Sequence, residues 1–249
     1  DLGYKVGIID ADIYGPSMHI MFGLEGEVPD AINIGGKSMI KPLESYGVKL
    51  LSIGFFAQSK QALVWRGPMA SKALNQLLWD AYWGDLDYLV VDLPPGTGDV
   101  HLSLVQSIPL TGAVVITTPQ NIALADAKKG VNMFQMASIS VPVLGIVENM
   151  AYFTPAELPK NKYYIFGKDG GKILAEQLKI DFLAQIPLVQ SVREAADAGR
   201  PALLQENTNI ALALLEMTKN ILVSIKKRNT NFAPTESVKL THSKGCSNK

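Results

Sequence analysis

The sequence predicts a doubly wound α/β fold, with a mostly parallel sheet and flanking helices. Three observations carry that expectation. Five short apolar runs, Val6–Ile9, Tyr88–Val91, Ala113–Thr117, Val143–Val147 and Phe182–Ile186, lack polar alternation, as strands buried on both faces do. Helical patterns lie between them, and strand–helix alternation of this kind builds parallel sheets through right-handed crossovers. Acidic residues and glycines follow Val6–Ile9 and Tyr88–Val91, at the strand ends where open α/β sheets bind ligands.

Taken in order, Asp1-Leu2-Gly3-Tyr4-Lys5 reads as a helix end with a glycine stop running into the first strand, which suggests a piece of a longer chain. Ser38–Pro42 and Val48–Ile53 flank Ser45-Tyr46-Gly47 and read as an antiparallel hairpin added to the sheet. Helices are expected at Met69–Trp83, Val100–Ser107, Ile122–Ala137, Gly171–Leu178, Val189–Ala198 and about Thr208–Lys227. Residues 1–228 read as one domain. Beyond Arg228, Asn, Thr, Ser and Lys dominate, so 229–249 reads as a disordered polar tail.

Composition narrows the function. Of 249 residues, 47% are apolar, enough to bury a sizeable core. Lys+Arg and Asp+Glu are each 23, so the net charge is zero and no general attraction to nucleic acid is expected. No apolar run reaches the roughly 20 residues of a membrane span. One cysteine, Cys246, excludes an intrachain disulfide framework, and the composition fits a cytoplasmic protein.

Two turns carry chemistry. Val6–Ile9 runs into Asp10-Ala11-Asp12-Ile13-Tyr14-Gly15-Pro16-Ser17, and Tyr88–Val91 into Asp92-Leu93-Pro94-Pro95-Gly96-Thr97-Gly98-Asp99. An Asp directly after a buried apolar strand has the Walker-B arrangement, which holds the Mg²⁺ shell of a nucleotide, commonly through water. The glycines after it leave N–H groups free to approach a phosphate. The plain alternative makes Asp92 a cap for the helix near Val100. A Walker-A loop has one near match, Ala31-Ile32-Asn33-Ile34-Gly35-Gly36-Lys37-Ser38. It fails, because Ala31 replaces the first glycine and Pro42 interrupts the helix that must follow.

Five segments occur in order: Asp10–Ser17, Val64-Trp65-Arg66-Gly67-Pro68-Met69, Asp92–Asp99, Thr117-Thr118-Pro119-Gln120 and Val147-Glu148-Asn149-Met150. Together they closely resemble the Mrp-type (ApbC-type) P-loop ATPases, iron–sulfur cluster carriers related to MinD and the nitrogenase iron protein. The likeness covers about residues 1–205. It implies a deviant-Walker P-loop fold whose first strand and Walker-A loop are missing from this sequence. It makes Asp12 the catalytic switch-I carboxylate that orients the attacking water, with Asp10 beside it near Mg²⁺. Asp92 resembles the Walker-B metal residue and Gly96 the switch-II glycine that senses the γ-phosphate. Asn149 resembles the residue that reads the adenine edge. Arg66 lies in a family motif without an assigned role. The resemblance further implies ATP and Mg²⁺, a homodimer, an iron–sulfur cluster, and apo iron–sulfur recipient proteins. Without its Walker-A loop the sequence as given is expected to be an inactive ATPase on its own.

The family commonly places Cys-x-x-Cys after its Asn-Met-x-Tyr-Phe segment, but here Asn149–Phe153 leads into Thr154-Pro155-Ala156-Glu157-Leu158-Pro159, with no thiol. Clusters are held mainly by thiolates. Cys246, beside His242, is the one thiol left as a candidate ligand, set against the plainer reading of a solvated tail. His19 and His101 read as packing or hydrogen-bonding residues and Glu157 as a surface loop residue. The last helix has a wide apolar face, which suits packing on the sheet and disfavours membrane binding. A MinD-like ATP switch organising a partner or membrane, without a cluster, is the alternative reading.

Overall fold

The computed structural model describes residues 2–56, 67–155, 157–205 and 208–237. In chain order the elements are β1 (Val6–Asp10), α1 (Met18–Met21), β2 (Ala31–Ile34), β3 (Lys37–Ile40), β4 (Leu43–Ser45), β5 (Val48–Ser52) and α2 (Gly67–Trp79). There follow β6 (Tyr88–Asp92), α3 (Asp99–Ser107), β7 (Ala113–Thr117), α4 (Asn121–Gln135), β8 (Val143–Glu148), α5 (Gly170–Leu178), β9 (Phe182–Gln185), α6 (Gln190–Asp197) and α7 (Asn209–Asn231).

Two parallel ladders result. In the first, β1 lies between β5 and β6, parallel to both, and β4 closes the far edge antiparallel to β5. The second runs β7-β8-β9. All five expected strands are present, with ends within one residue of those read from the sequence. Ile9, Leu51, Leu74, Leu77 and Leu104 form a core between the first ladder, α2 and α3. Val105 of α3 and Met133 and Phe134 of α4 pack with Leu93, Ala113 and Val143, which joins the two ladders. Burying Leu104 completely contributes about 2 kcal/mol relative to leaving it in water.

The hairpin is corrected in its partners. Leu43–Ser45, not Ser38–Pro42, pairs with β5 around Tyr46-Gly47. Lys37–Ile40 pairs instead with Ala31–Ile34. Gly35 and Gly36, at φ 58° and 85°, form the two-residue connection that only residues free at positive φ adopt readily. The Walker-A near match is therefore a β-hairpin. Helix α2 stops at Trp79, four residues short of expectation, because the chain then pairs with β3: Ile40 N–H donates to Asp80 O, and Tyr82 N–H to Ile40 O. Leu2–Lys5 are not helical, although Gly3 has φ 80°.

Helix α7 runs to Asn231, beyond Lys227, and Thr235 Oγ1 donates to Leu110 O. Its Ile210, Leu214, Met217 and Ile221 pack on Val147, Leu183 and Ile186, so the apolar face covers the second ladder. Leu212 and Val223 face outward. Among the described residues no helix is long and apolar enough to cross a membrane.

One feature is unusual for an α/β core. β6 and β7 end their ladders, and neither has a neighbour on its second side among the described residues. Val90 is 51% exposed and Ile116 63%, although such residues favour buried strands. The two ladders, joined through the α3–α4 cluster, thus each leave one parallel edge unpaired among the described residues.

Candidate functional site

Parallel pairing fixes the centre of the site. Asp10 stands in register with Ser52 of β5 on one side and Asp92 of β6 on the other, all at the C-terminal ends of their strands. Ala11 N–H donates to Asp92 O at 2.9 Å, holding the two turns together as they leave the sheet.

Asp10 is fully buried, and both its oxygens accept hydrogen bonds. Oδ2 accepts from Ser52 Oγ at 2.7 Å and from the Ser17 and Met18 N–H groups at 3.1 Å each; Oδ1 accepts from Asp12 N–H at 3.2 Å. It braces the 11–18 loop. Ser52 Oγ also accepts from Gly54 N–H, and it lies 3.4 Å from His19 Nδ1, whose ring meets Phe55 edge-on. Asp12 bends its own loop: Oδ1 accepts from Tyr14 and Gly15 N–H at 3.1 and 3.2 Å. That leaves its Oδ2 without a hydrogen-bond partner among the described residues.

Asp92 has no side-chain hydrogen bond or ion pair there either. Burial, then the negative charges of Asp10 and Asp12, push its carboxyl up to about 6 from 3.8. The two acidic turns therefore converge closely enough for their charges to interact. Three carboxylates with no ion-paired cation among the described residues concentrate negative potential at one rim, which suits a divalent cation. No three His, Cys, Asp or Glu side chains among the described residues close a metal cage. That donor set fits Mg²⁺, which keeps most of its waters and needs few carboxylates.

Asp92 does not cap α3. The N-cap position is Gly98, with no side-chain cap bond, and Asp99 supplies the negative charge of the first turn. Gly96, at φ 93°, lies in the connecting loop. Buried His101 packs on Phe134 at 6.5 Å, and burial lowers its pKa against a smaller opposing effect of the Gly98 main chain.

Asn149 follows β8. Its N–H donates to Thr117 O at 2.7 Å, and its Oδ1 accepts from Met150 N–H at 2.9 Å, which leaves Nδ2 without a partner among the described residues. Glu157 is exposed. Arg66, His242 and Cys246 lie outside the described residues, so no thiol is present among those described. Sequence reading missed the supporting groups, Ser52 beneath Asp10 and Gln185 beneath Glu148, because their partners lie 42 and 37 residues away.

Known proteins with this pattern agree. A family model for the NUBPL iron-transfer P-loop NTPases matches residues 1–222. An iron–sulfur cluster carrier protein of Aquifex aeolicus is 48% identical over 221 residues, covering 88% of this chain and 59% of the relative. The carrier of Escherichia coli K12 is 52% identical over 202 residues, covering 81% and 53%. The mouse iron–sulfur cluster transfer protein NUBPL is 44% identical, covering 91% and 69%. The chain thus spans between about half and two thirds of the length of these relatives. Among solved structures, a nucleotide-binding protein from Archaeoglobus fulgidus in complex with ADP superposes with TM-score 0.69 at 34% identity, covering 84% of this chain and 79% of that one. MinD from Pyrococcus furiosus, at TM-score 0.61 and 18% identity, covers 89% and 86% and shares the fold. On the extent of the family match and these identities, the chain belongs to the NUBPL/Mrp family of iron-transfer P-loop NTPases.

Proposed function

We propose that this chain is the ATP-responsive portion of an iron–sulfur cluster carrier, which hydrolyses ATP and hands clusters to apo-proteins. The observation that carries the reading is the junction of two acidic turns at Asp10–Asp12 and Asp92, with Asp92 unpaired among the described residues and raised to about 6. Relatives named as cluster carriers and an ADP-bound neighbour support it.

Each residue then has a task. Asp10 fixes the switch-I loop. Asp12, with one free oxygen, orients water for attack on the γ-phosphate. Asp92 would hold the metal shell, commonly through water, Gly96 would offer its N–H to the γ-phosphate, and Asn149 would read the adenine edge with its amide. Mg²⁺ when bound supplies charge neutralisation on the phosphates. Hydrolysis is mostly positioning, so the geometry of the loops decides the rate. The working form is a homodimer. The cluster is cargo, and the described residues offer it no thiol; Cys246 is the candidate that remains in this sequence. With one cysteine in 249 residues the chain suits a reducing compartment such as the cytoplasm.

Because the sequence has no glycine–lysine phosphate loop, the 249-residue chain on its own is expected to release phosphate from ATP at the background rate. Extending it upstream by the strand–loop–helix segment of a family member is expected to restore Mg²⁺-dependent hydrolysis, lost again in Asp12→Ala. An extended chain that folds yet neither binds nor hydrolyses ATP would falsify the reading.

A further inference from the structure

Glu148 ends β8 with its side chain fully buried, and no Lys, Arg or His among the described residues pairs with it. Its oxygens meet donors alone. Oε2 accepts from Gly171 N–H at 2.6 Å, and Oε1 accepts from Gln185 Nε2 at 2.9 Å. The same Gln185 nitrogen donates to Asp169 Oδ1 at 2.9 Å. Asp169 is the N-cap residue of α5 but makes no capping bond, so Glu148, from a different strand, satisfies an N–H of the first turn in its place. The fit is close: a Cβ on Gly171 would lie 3.1 Å from Glu148 Cβ, and one on Gly170 only 2.5 Å from Pro119 O.

Three elements therefore meet at this one carboxylate: the end of β8, the start of α5 through Gly171 and the end of β9 through Gln185. The turn after β8 carries Asn149. Its main chain is held on both sides, Asn149 N–H to Thr117 O at 2.7 Å and Ile186 N–H to Glu148 O at 2.8 Å. Met150, at φ 53°, lets its N–H turn back onto Asn149 Oδ1.

We propose that Glu148 is a positioning residue for nucleobase selection: it locks the β8 turn against α5 and β9, so the Asn149 amide presents one fixed orientation before nucleotide arrives. This rests on the reading of Asn149 as the base-contacting residue. A glutamine at position 148 keeps the shape but turns an NH₂ toward a donor in either orientation, toward Gly171 N–H or toward Gln185. Rotating the Gln185 amide relieves one clash but sets its oxygen against the Asp169 carboxylate. Neutralising Asp169 as well removes that conflict.

The test compares wild type, E148Q and E148Q/D169N by hydrogen exchange of the nucleotide-free 249-residue chain. In E148Q the amides of Asn149, Ala151 and Gly171 are expected to exchange about tenfold faster or more, an opening free-energy change of about 1.4 kcal/mol. Val6–Ile9 should stay unchanged, and the double variant should return toward wild type. Unchanged exchange at Asn149–Ala151 in E148Q overturns the proposal. Should E148Q not fold, Gln185→Met removes one donor with little change in volume and should move the same amides. With ATP and GTP as probes on the extended, nucleotide-binding chain, the ratio of their Kd values should fall about tenfold in E148Q, because a loosened amide discriminates less. A wild-type ratio in E148Q, even with lowered stability, reduces Glu148 to a structural role and also overturns the proposal. If wild type binds neither nucleotide, the assignment of Asn149 fails with it, whereas exchange still decides whether Glu148 holds the turn.

Discussion

Asp10 and Asp92 stand opposite one another in register at the ends of two adjacent parallel strands, yet their surroundings differ in kind. Asp10 is met by four donors, and Asp92 by none among the described residues. One carboxylate shapes the loop, and the other is left without a hydrogen-bond partner among the described residues.

That contrast sets a pH dependence. Folded Asp92 keeps its proton to about pH 6, whereas an unfolded Asp releases it near 3.8. The folded state therefore binds the extra proton between these values. Ionised Asp92 opposes folding increasingly as pH rises through that window, and fully above it. The shift caps the effect at about 3 kcal/mol, and solvent screening at a partly open group lowers the expected gain from Asp92→Asn to about 1 kcal/mol at pH 8. Urea titrations should show the variant more stable than wild type at pH 8 and the difference vanishing near pH 4. A variant less stable than wild type at pH 8 contradicts the environment described.

Ser52→Ala removes the hydroxyl that donates to Asp10 and accepts from Gly54 N–H. Leaving these buried partners unsatisfied is expected to cost about 1–3 kcal/mol. The readout is the urea midpoint, together with increased exchange at the Ser17 and Met18 amides. A change in midpoint without any change at those amides counts against the Asp10 brace.

Gly199→Ala tests a close backbone crossing. Gly199 has φ 64°, and a Cβ there would lie 2.5 Å from Gly23 Cα, where no side chain can yield. A loss of about 2–4 kcal/mol is expected, at the upper end for a single substitution. Thermal melts check it; an unaltered Tm would mean that the segments after α1 and α6 part at no cost.

The exposed edges of β6 and β7 should make the 249-residue chain self-associate with rising concentration, since unpaired strand edges template further pairing. Val90→Thr together with Ile116→Thr is expected to raise the monomer fraction in size-exclusion runs with little change in stability. Equal association in both forms would place the contact elsewhere.

Much of this was legible in the sequence, for a physical reason. Val143–Val147 lacks alternation because both faces are buried, whereas Ala113–Thr117 carries the same apolar pattern although Ile116 is exposed. The hairpin was misassigned because Ser38–Pro42 and Leu43–Ser45 are both plausible mates for β5, and Gly35-Gly36 decided the pairing by closing Lys37–Ile40 back onto Ala31–Ile34. Helix α2 ends at Trp79 because Ala81 then bridges to Ile40, a contact 41 residues back that no local signal announces. The acidic turns stood out because Asp directly after an apolar run is locally conspicuous. The Glu148 network did not, since Gly171 and Gln185 become its neighbours only through the crossovers.

The brace at Asp10 has a consequence for which positions can vary. Two of its contacts go to the main chain of Ser17 and Met18, so side chains there contribute nothing to the bond. A saturation library should accept most replacements at Met18, apart from proline, while rejecting almost any at Asp10. The half-buried surface position of the loop would then be free to drift, and the constraint would sit one layer down, at the buried carboxylate.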